Sequence, residues 1–380
     1  MTDQKEFQIN SDSAFPILEQ MDFFNHAGVA PLSNAAAQAM VDYARHTASK
    51  AYIQGQWYKQ AQHIKALAAR MVNAPSASNI AYVPSTSAGL SLLARGLDWR
   101  PGDNAIITSI EFPANRYPWQ DLAKQGVQLI EIDPQPDGRI DVDDMLEAIT
   151  NRTRVVSLSH VQFSSGFRIE LREIADMVHR AGGLLCIDAI QSVGAMPVDV
   201  QAMGVDFLSA DSHKWMLGPE GCGFVYCEED LIQMLHPGVV GWMNMPIRKE
   251  YTDYRFEFHT DARRFEPGSY NLAGIMAMGA SLQLLLDTGL DNVWSKIEAL
   301  TDQLCDGLSA KGYKVFSPRN AGEKSGIVSF SAPDVSRHQA IFEALEKQNI
   351  HIALRQGRLR ASPHFYNTSQ QIDKLIAALP

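Results

Sequence analysis

The sequence predicts an α/β fold: a large domain with a mostly parallel, seven-stranded sheet, and a small α+β C-terminal domain. Three observations predict it. Seven short runs rich in Val, Ile, Leu and Phe fall between about residues 78 and 230. Most are separated by helical stretches, the pattern of strands joined by crossover helices and buried on both faces. After about residue 275 the alternation stops and long helices take over.

In chain order the strand candidates are NIAYVP, NAIITSIEF, VQLIEID, TRVVSLSHVQF, LLCIDAIQ, VDFLSA and CGFVYC. Each has strand length and strand composition. The helix candidates between them include SAGLSLLARGL, PWQDLAKQG, VDDMLEAIT and LREIADMVHRAG. Further on, AGIMAMGASLQLLLDTGLDNVWSKIEALTDQLCDGLSAKG reads as long helix with a break near Gly289. KSGIVSFSAP, a helix RHQAIFEALEKQN, a strand IHIALRQ and a last helix opened by NTSQQIDKL complete the chain. Thr368 and Gln371 fit a capping box at that last helix. The domains are expected at 20–275 for the large one and 276–380, joined by residues 1–19, for the small one.

A chain of 380 residues, 46% hydrophobic and 20% charged, is ordinary for a globular enzyme and too long for one simple core. Its formal net charge of −10, with no basic stripe, argues against nucleic acid or an anionic membrane as partner. Cys186, Cys222, Cys227 and Cys305 lie inside apolar segments without metal-like spacing, so reduced thiols and no metal are expected. The opening MTDQKEFQINSDSAF has no signal-peptide core, and no apolar run reaches the roughly 20 residues of a membrane span. A cytoplasmic location is the expectation.

Ligands of open α/β sheets collect beyond the carboxyl ends of the strands, and three strand ends here carry suggestive residues. After AYVP, Ser85-Thr86-Ser87 opens a helix with the close-packing pair Ala88-Gly89. Unpaired N–H groups and hydroxyls there suit a phosphate, and read alone they also describe an ordinary N-cap. Asp188 ends LLCID, where a carboxylate needs a cationic partner, with Gln191 three residues on. Lys214 sits in DSHKWMLGPEGCG, between His213 and a Trp-Met-Leu run. A lysine desolvated by such neighbours has a lowered pKa and becomes a nucleophile toward a carbonyl. Together the three supply what pyridoxal 5′-phosphate (PLP) needs: an anion site, an acid for its ring nitrogen and an amine for its aldehyde.

The stretch CIDAIQSVGAMPVDVQAMGVDFLSADSHKWMLGPEGCGFVYC resembles the core of fold-type I, class V PLP enzymes. That superfamily includes cysteine desulfurases, selenocysteine lyases, isopenicillin N epimerase-like proteins and several aminotransferases. The likeness runs from about residue 20 to the end. It implies PLP as cofactor, Lys214 as the residue that forms the imine with it, Asp188 on the pyridine nitrogen and Gln191 on the ring hydroxyl. Thr86, Ser87 and His213 are implied at the phosphate. Asp211 stands where the family often has a phosphate-binding serine, and an acid there would repel the anion.

Other segments match by position. IEFPANRYPWQ resembles the stretch that supplies a ring stacked on the cofactor, which makes Phe112 that ring, where desulfurases have a histidine. SHVQFSSG matches the segment that reaches the cofactor hydroxyl, with Gln162 chosen, Phe163 in the register of the family's asparagine, and His160 as the alternative. RFEPGSYN resembles a loop that lends a hydroxyl to the partner subunit's phosphate, which places Ser269 there and implies a homodimer with its active site at the interface. RLRASPHFYNT resembles the segment whose arginine grips the substrate α-carboxylate, here Arg360. FFNHAGVAPLS resembles the segment lining the substrate side, with Asn25 and His26 as contributors.

The implied reaction starts at Cα of an amino acid, with Lys214 moving the proton. Transamination is the main expectation, with β-lyase or epimerase as the alternative and a non-catalytic PLP-fold binding protein as the reading from a different class. The loop ALRQGRLRASP has no cysteine where desulfurases carry their nucleophile, which argues against a standard desulfurase. Arg355 and Arg358 in that loop suit an acidic substrate side chain.

Overall fold

A computed structural model of the chain describes residues 14–246, 250 and 252–380. The expected contribution of residues 1–13 to the small domain lies outside the described residues.

The chain enters along a short strand, β1 (Asp22–Phe23), and two helices, α1 (Asn34–Lys50) and α2 (Trp57–Met71). The seven expected strands all form: β2 (Ile80–Val83), β3 (Asn104–Thr108), β4 (Gln128–Ile132), β5 (Thr153–Ser159), β6 (Leu184–Asp188), β7 (Phe207–Asp211) and β8 (Gly223–Cys227). They make one sheet in the order β2-β8-β7-β6-β5-β3-β4. Only β8 runs against its neighbours, pairing antiparallel with β2 and β7. The crossovers include α3 (Thr86–Gly96) after β2 and α4 (Arg172–Arg180) between β5 and β6.

The near-continuous apolar runs have a simple cause. Ile80 and Tyr82 of β2 feed one core cluster with Ile106, Val156, Leu158, Ile187 and Leu208. Ala81 and Val83 feed the other, with Ile107, Val155, Cys186 and Val225. Alternate residues of the inner strands therefore enter different cores and no position on them reads as a solvated face, while the edge strand β4 keeps Gln128 and Glu131 exposed.

Two long helices, α5 (Leu272–Thr288) and α6 (Leu290–Ala310), follow the sheet. They break at Gly289 (φ +84°), as expected, and cross at 81°. No single helix among the described residues is long and apolar enough to cross a membrane. The expected domain division at residue 275 falls inside α5, whose Ile275, Met276, Met278 and Leu282 join the core under the large sheet.

A second sheet, in the order β12-β13-β10-β9, is formed by β9 (Lys314–Val315), β10 (Val328–Ser331), β12 (Ala353–Arg355) and β13 (Arg358–Ala361). The expected strand IHIALRQ is interrupted: β11 (Ile350–His351) leaves the sheet and pairs in parallel with β1. Helices α7 (His338–Glu346) and α8 (Ser369–Ala378) cover this lobe, and the capping box of Thr368 and Gln371 is present. The β1–β11 pairing and a bridge between Asn25 and Ser362 bring the entering chain beside β13. Phe15 also stacks on Tyr366 at 3.8 Å between ring centroids.

Candidate active site

The carboxyl ends of the parallel strands and the edge of the small lobe enclose a cavity of about 480 Å³. Asn25, Thr86, Ser87, Phe112, Asp188, Gln191, His213, Lys214, Arg355 and Arg360 all lie on its wall. Residues up to 335 positions apart in the chain thus face one space.

One end is built on the start of α3. Ser85 caps it by accepting from Ala88 N at 3.1 Å, which leaves the Thr86 and Ser87 side chains at the cavity. Thr86 Oγ1 accepts from Asp211 N at 3.0 Å, and Ser209 Oγ donates to Thr86 O at 3.1 Å, tying the helix start to β7. Gly89 makes the approach possible: a Cβ there would lie 2.2 Å from Ser209 Oγ and 2.6 Å from Val225 Cγ1. Asp211 is turned to its own segment, with Oδ1 accepting from Ser212 N at 2.7 Å. Its Oδ2 is 3.1 Å from His213 Nδ1, close enough for an ion pair but off the geometry of a hydrogen bond, so Nδ1 is left without a hydrogen-bond partner.

Asp188 ends β6 with its carboxylate buried and, among the described residues, accepting only from Ile190 N, at 3.1 Å. Burial pushes its pKa up to about 7, against the opposing pull of that N–H and of Lys214. Lys214 leaves β7 by a turn in which Leu217 takes a left-handed conformation (φ 59°), with Leu217 N donating to Lys214 O and Gly218 N to Ser212 O. The chain returns at Gly223 into β8. Burial lowers the Lys214 pKa to about 8 even though Asp188 pulls it upward. Its Nζ lies 5.5 Å from the Phe112 ring centroid. Phe112 is 44% exposed and meets Phe163 edge-on at 5.2 Å.

Arg360 lies on β13 and is 1% exposed. Its Nη1 donates to Phe163 O at 2.7 Å and its Nη2 to Asn25 Oδ1 at 3.2 Å, while Nε has no partner. Burial, with Arg355 adding to it, lowers its pKa to about 9. A desolvated guanidinium with a free N–H and no carboxylate partner among the described residues is built to receive an anion.

Three sequence candidates are not on this wall. Gln162 lies behind it, donating from Nε2 to Glu111 Oε1 at 2.9 Å and to Thr108 Oγ1 at 3.2 Å. Phe163 takes its place, because β5 ends at Ser159 and the following turn breaks the alternation of faces. His26 points away from the cavity. Its Nδ1 donates to Ser362 O at 2.8 Å and its Nε2 accepts from Tyr366 Oη at 2.5 Å, which fixes a neutral tautomer whose pKa burial holds well below the usual value. Ser269 lines a separate cavity of about 360 Å³ with Tyr82, Pro84 and Glu266. The alternative His160 is fully enclosed, with its pKa lowered by burial to about 3.

The sequence reading also missed residues that shape the wall. Phe23 and His351 reach it from the β1–β11 pair. Trp215, read as apolar packing, donates from Nε1 to Gln191 Oε1 at 2.9 Å.

The donor set fits PLP: the Thr86 and Ser87 hydroxyls at the α3 start with His213 on the same wall, and a buried acid and a buried amine, Asp188 and Lys214, facing the same cavity. With the sheet order, this makes the protein a PLP-dependent enzyme of fold type I. The model of the aminotransferase class-V family matches residues 23–375. The chain is 28% identical over 387 residues to a probable cysteine desulfurase of Methanothermobacter thermautotrophicus, covering 95% of this chain and 94% of that one. It is 30% identical over 330 residues to a probable cysteine desulfurase of Halalkalibacterium halodurans, covering 82% and 79%. In fold it is similar to the apo cysteine desulfurase of Thermococcus onnurineus NA1 (TM-score 0.88, 22% identity, 99% and 98% covered). It is also similar to a cystine C–S lyase in complex with its product cysteine persulfide (TM-score 0.87, 24% identity, 96% and 98% covered). The chain belongs to the aminotransferase class-V family.

Proposed function

We propose that this PLP-dependent class V enzyme is a lyase that removes a β-substituent, a sulfur group foremost, from an amino acid. This replaces the transamination expected from the sequence. The relatives named cysteine desulfurases support C–S cleavage. The observation that carries the reading is a single buried amine of lowered pKa at the cavity with no thiol beside it. Cys186, Cys222 and Cys227 are buried elsewhere, with burial raising their pKa, and Cys305 is on α6. Sulfur transfer onto the protein needs a thiol at the substrate; elimination needs only a base and a substrate that carries its own leaving group.

PLP, when bound, withdraws electrons from the amino acid's Cα and acidifies its proton. Thr86, Ser87 and His213 would hold the phosphate, Asp188 would pair with the ring nitrogen, Gln191 would donate to the ring hydroxyl, and Phe112 would pack on the ring. Arg360, oriented by Asn25, grips the α-carboxylate. Lys214 would take the Cα proton, and loss of the β-sulfur group with its electron pair and uptake of one water would give pyruvate, ammonia and the thiol. Phe112 carries no proton, so the leaving sulfur would take its proton from Lys214.

A homodimer goes with this reading, with the two-domain division and a cytoplasmic location. Ser269 and its separate cavity then serve the partner's phosphate site, and light scattering should give twice the chain mass. An amino acid panel tests the reaction. Cysteine, cystine and S-alkylcysteines should release pyruvate and ammonia. Conversion of the cofactor to its pyridoxamine form would establish transamination, and deuterium entry at Cα alone would establish epimerisation. A yellow protein that no amino acid perturbs would be a binding protein.

A further inference from the structure

The cavity has a second guanidinium that the carboxylate grip does not use. Arg355, at the end of β12, lies on the cavity wall and is exposed. Its one hydrogen bond is from Nη1 to the neighbouring Leu354 O at 3.2 Å, and it pairs with no carboxylate among the described residues. Arg358, across the hairpin, is committed elsewhere: its guanidinium lies 3.7 Å from the Phe316 ring centroid. Of the two arginines the sequence offered for an acidic side chain, Arg355 alone faces the cavity.

Charge on the wall is divided. Its carboxylates, Asp188 and Asp211, both stand at the strand ends of the large sheet, beside Lys214, while the small lobe contributes Arg355 and Arg360 and no carboxylate among the lining residues. Glu346, at the end of α7, is taken by His351 Nδ1 at 2.7 Å. Arg355 also acts on Arg360 and Lys214, disfavouring the charge on both. A chain of net charge −10 thus leaves two guanidinium groups uncompensated over one apolar-walled space. Like charges held together this way are relieved by an anion, and two guanidinium groups call for two.

We propose that Arg355 is the side-chain subsite of this cavity and selects amino acids whose side chain carries a second carboxylate. The inference rests on the reading of the cavity as an amino acid site, and it is independent of which reaction follows. In the elimination described above, S-carboxymethylcysteine is such a substrate. The Cβ–S bond breaks with its electrons on sulfur, giving thioglycolate, pyruvate and ammonia with one water consumed.

The test uses the PLP-loaded enzyme and two analogues that lack a Cα proton, α-methylaspartate and the uncharged 2-amino-2-methylbutanoate, in titration calorimetry. The charged analogue should bind at least about tenfold more tightly, the scale of one charge-assisted contact. Arg355→Ala should reduce the gap to within about twofold, while Arg355→Lys keeps part of the gap. Equal affinities in the unmodified enzyme, or a gap that survives Arg355→Ala, would overturn the assignment. Binding of neither analogue would instead remove the amino acid reading of the cavity, and this inference with it. Absence of pyruvate from S-carboxymethylcysteine, with the binding gap intact, would count against elimination alone.

Discussion

Trp215 Nε1 donates to Gln191 Oε1 at 2.9 Å, with both side chains buried. Gln191 Nε2 in turn donates to Ala27 O at 3.1 Å. An amide can flip, and this pair of bonds prevents it: the oxygen is committed to the indole, so the side the amide shows to the cavity is an N–H. That is the polarity a ring hydroxyl, ionised or not, accepts from. Trp215→Phe keeps most of the ring volume and leaves Gln191 Oε1 unsatisfied. It should lower stability by about 1–3 kcal/mol in thermal unfolding. It should also weaken PLP binding, measured by absorbance titration of the cofactor-free protein. Unchanged affinity for PLP would mean the indole bond is structural only.

Lys214 is the amine on which the whole site converges. Borohydride reduction of the PLP-loaded protein, followed by peptide mapping, should place the pyridoxyl adduct on the peptide containing residue 214. Lys214→Ala should still bind PLP, through the phosphate end and Asp188, and should lose about 10³-fold or more in turnover, the loss expected when a positioned acid/base is deleted. An adduct on any other lysine would remove the functional reading.

Asp188 ties the site to stability. Burial raises its carboxyl to about 7 in the cofactor-free chain, above the ordinary range near 4 for an unfolded aspartate. The folded chain therefore favours the protonated form. Its contribution is fully present below about pH 4 and is lost as the pH rises through about 7. Asp188→Asn keeps the shape without the charge. In cofactor-free protein its unfolding free energy should gain on that of the unmodified chain between about pH 4 and pH 7 and then level off, by no more than about 4 kcal/mol, with Tm following. With PLP bound the order should reverse, because the carboxylate then has a cationic partner. A Tm difference that is flat from pH 4 to pH 7 would contradict this account.

The parts of the fold legible in the sequence share one property: burial leaves a periodic trace. The strands read clearly because both faces of the sheet are covered, and Asp188 and Lys214 read clearly because they interrupt apolar runs at strand ends. Gln162 lies off the cavity wall because β5 stops at Ser159, and past it no period says which side chain faces in. His26 lies off it for a related reason. The Asn25–Ser362 bridge sends successive side chains to opposite sides, and that bridge joins segments more than 300 residues apart. Helices α1 and α2 left little signal, since their buried residues are largely alanine.

Arg360 gives the sharpest separation of binding from chemistry. Its guanidinium is held by Phe163 O and Asn25 Oδ1 before any substrate arrives, so the cost of orienting it is already met in the folded chain. Arg360→Ala should raise KM for every amino acid substrate about 100-fold, the scale of losing a desolvated charge partner. kcat should fall less, since Lys214 and the cofactor contacts remain. Arg360→Lys should recover little, because an ammonium cannot reproduce the planar fork. Asn25→Ala, which only loosens the guanidinium, should raise KM by a smaller factor, about threefold to tenfold, with kcat unchanged. Steady-state kinetics on one good substrate reads all three variants. If Arg360→Ala left KM where it was while kcat collapsed, the arginine would be acting on the reacting centre and the carboxylate grip would have to be sought elsewhere on the wall.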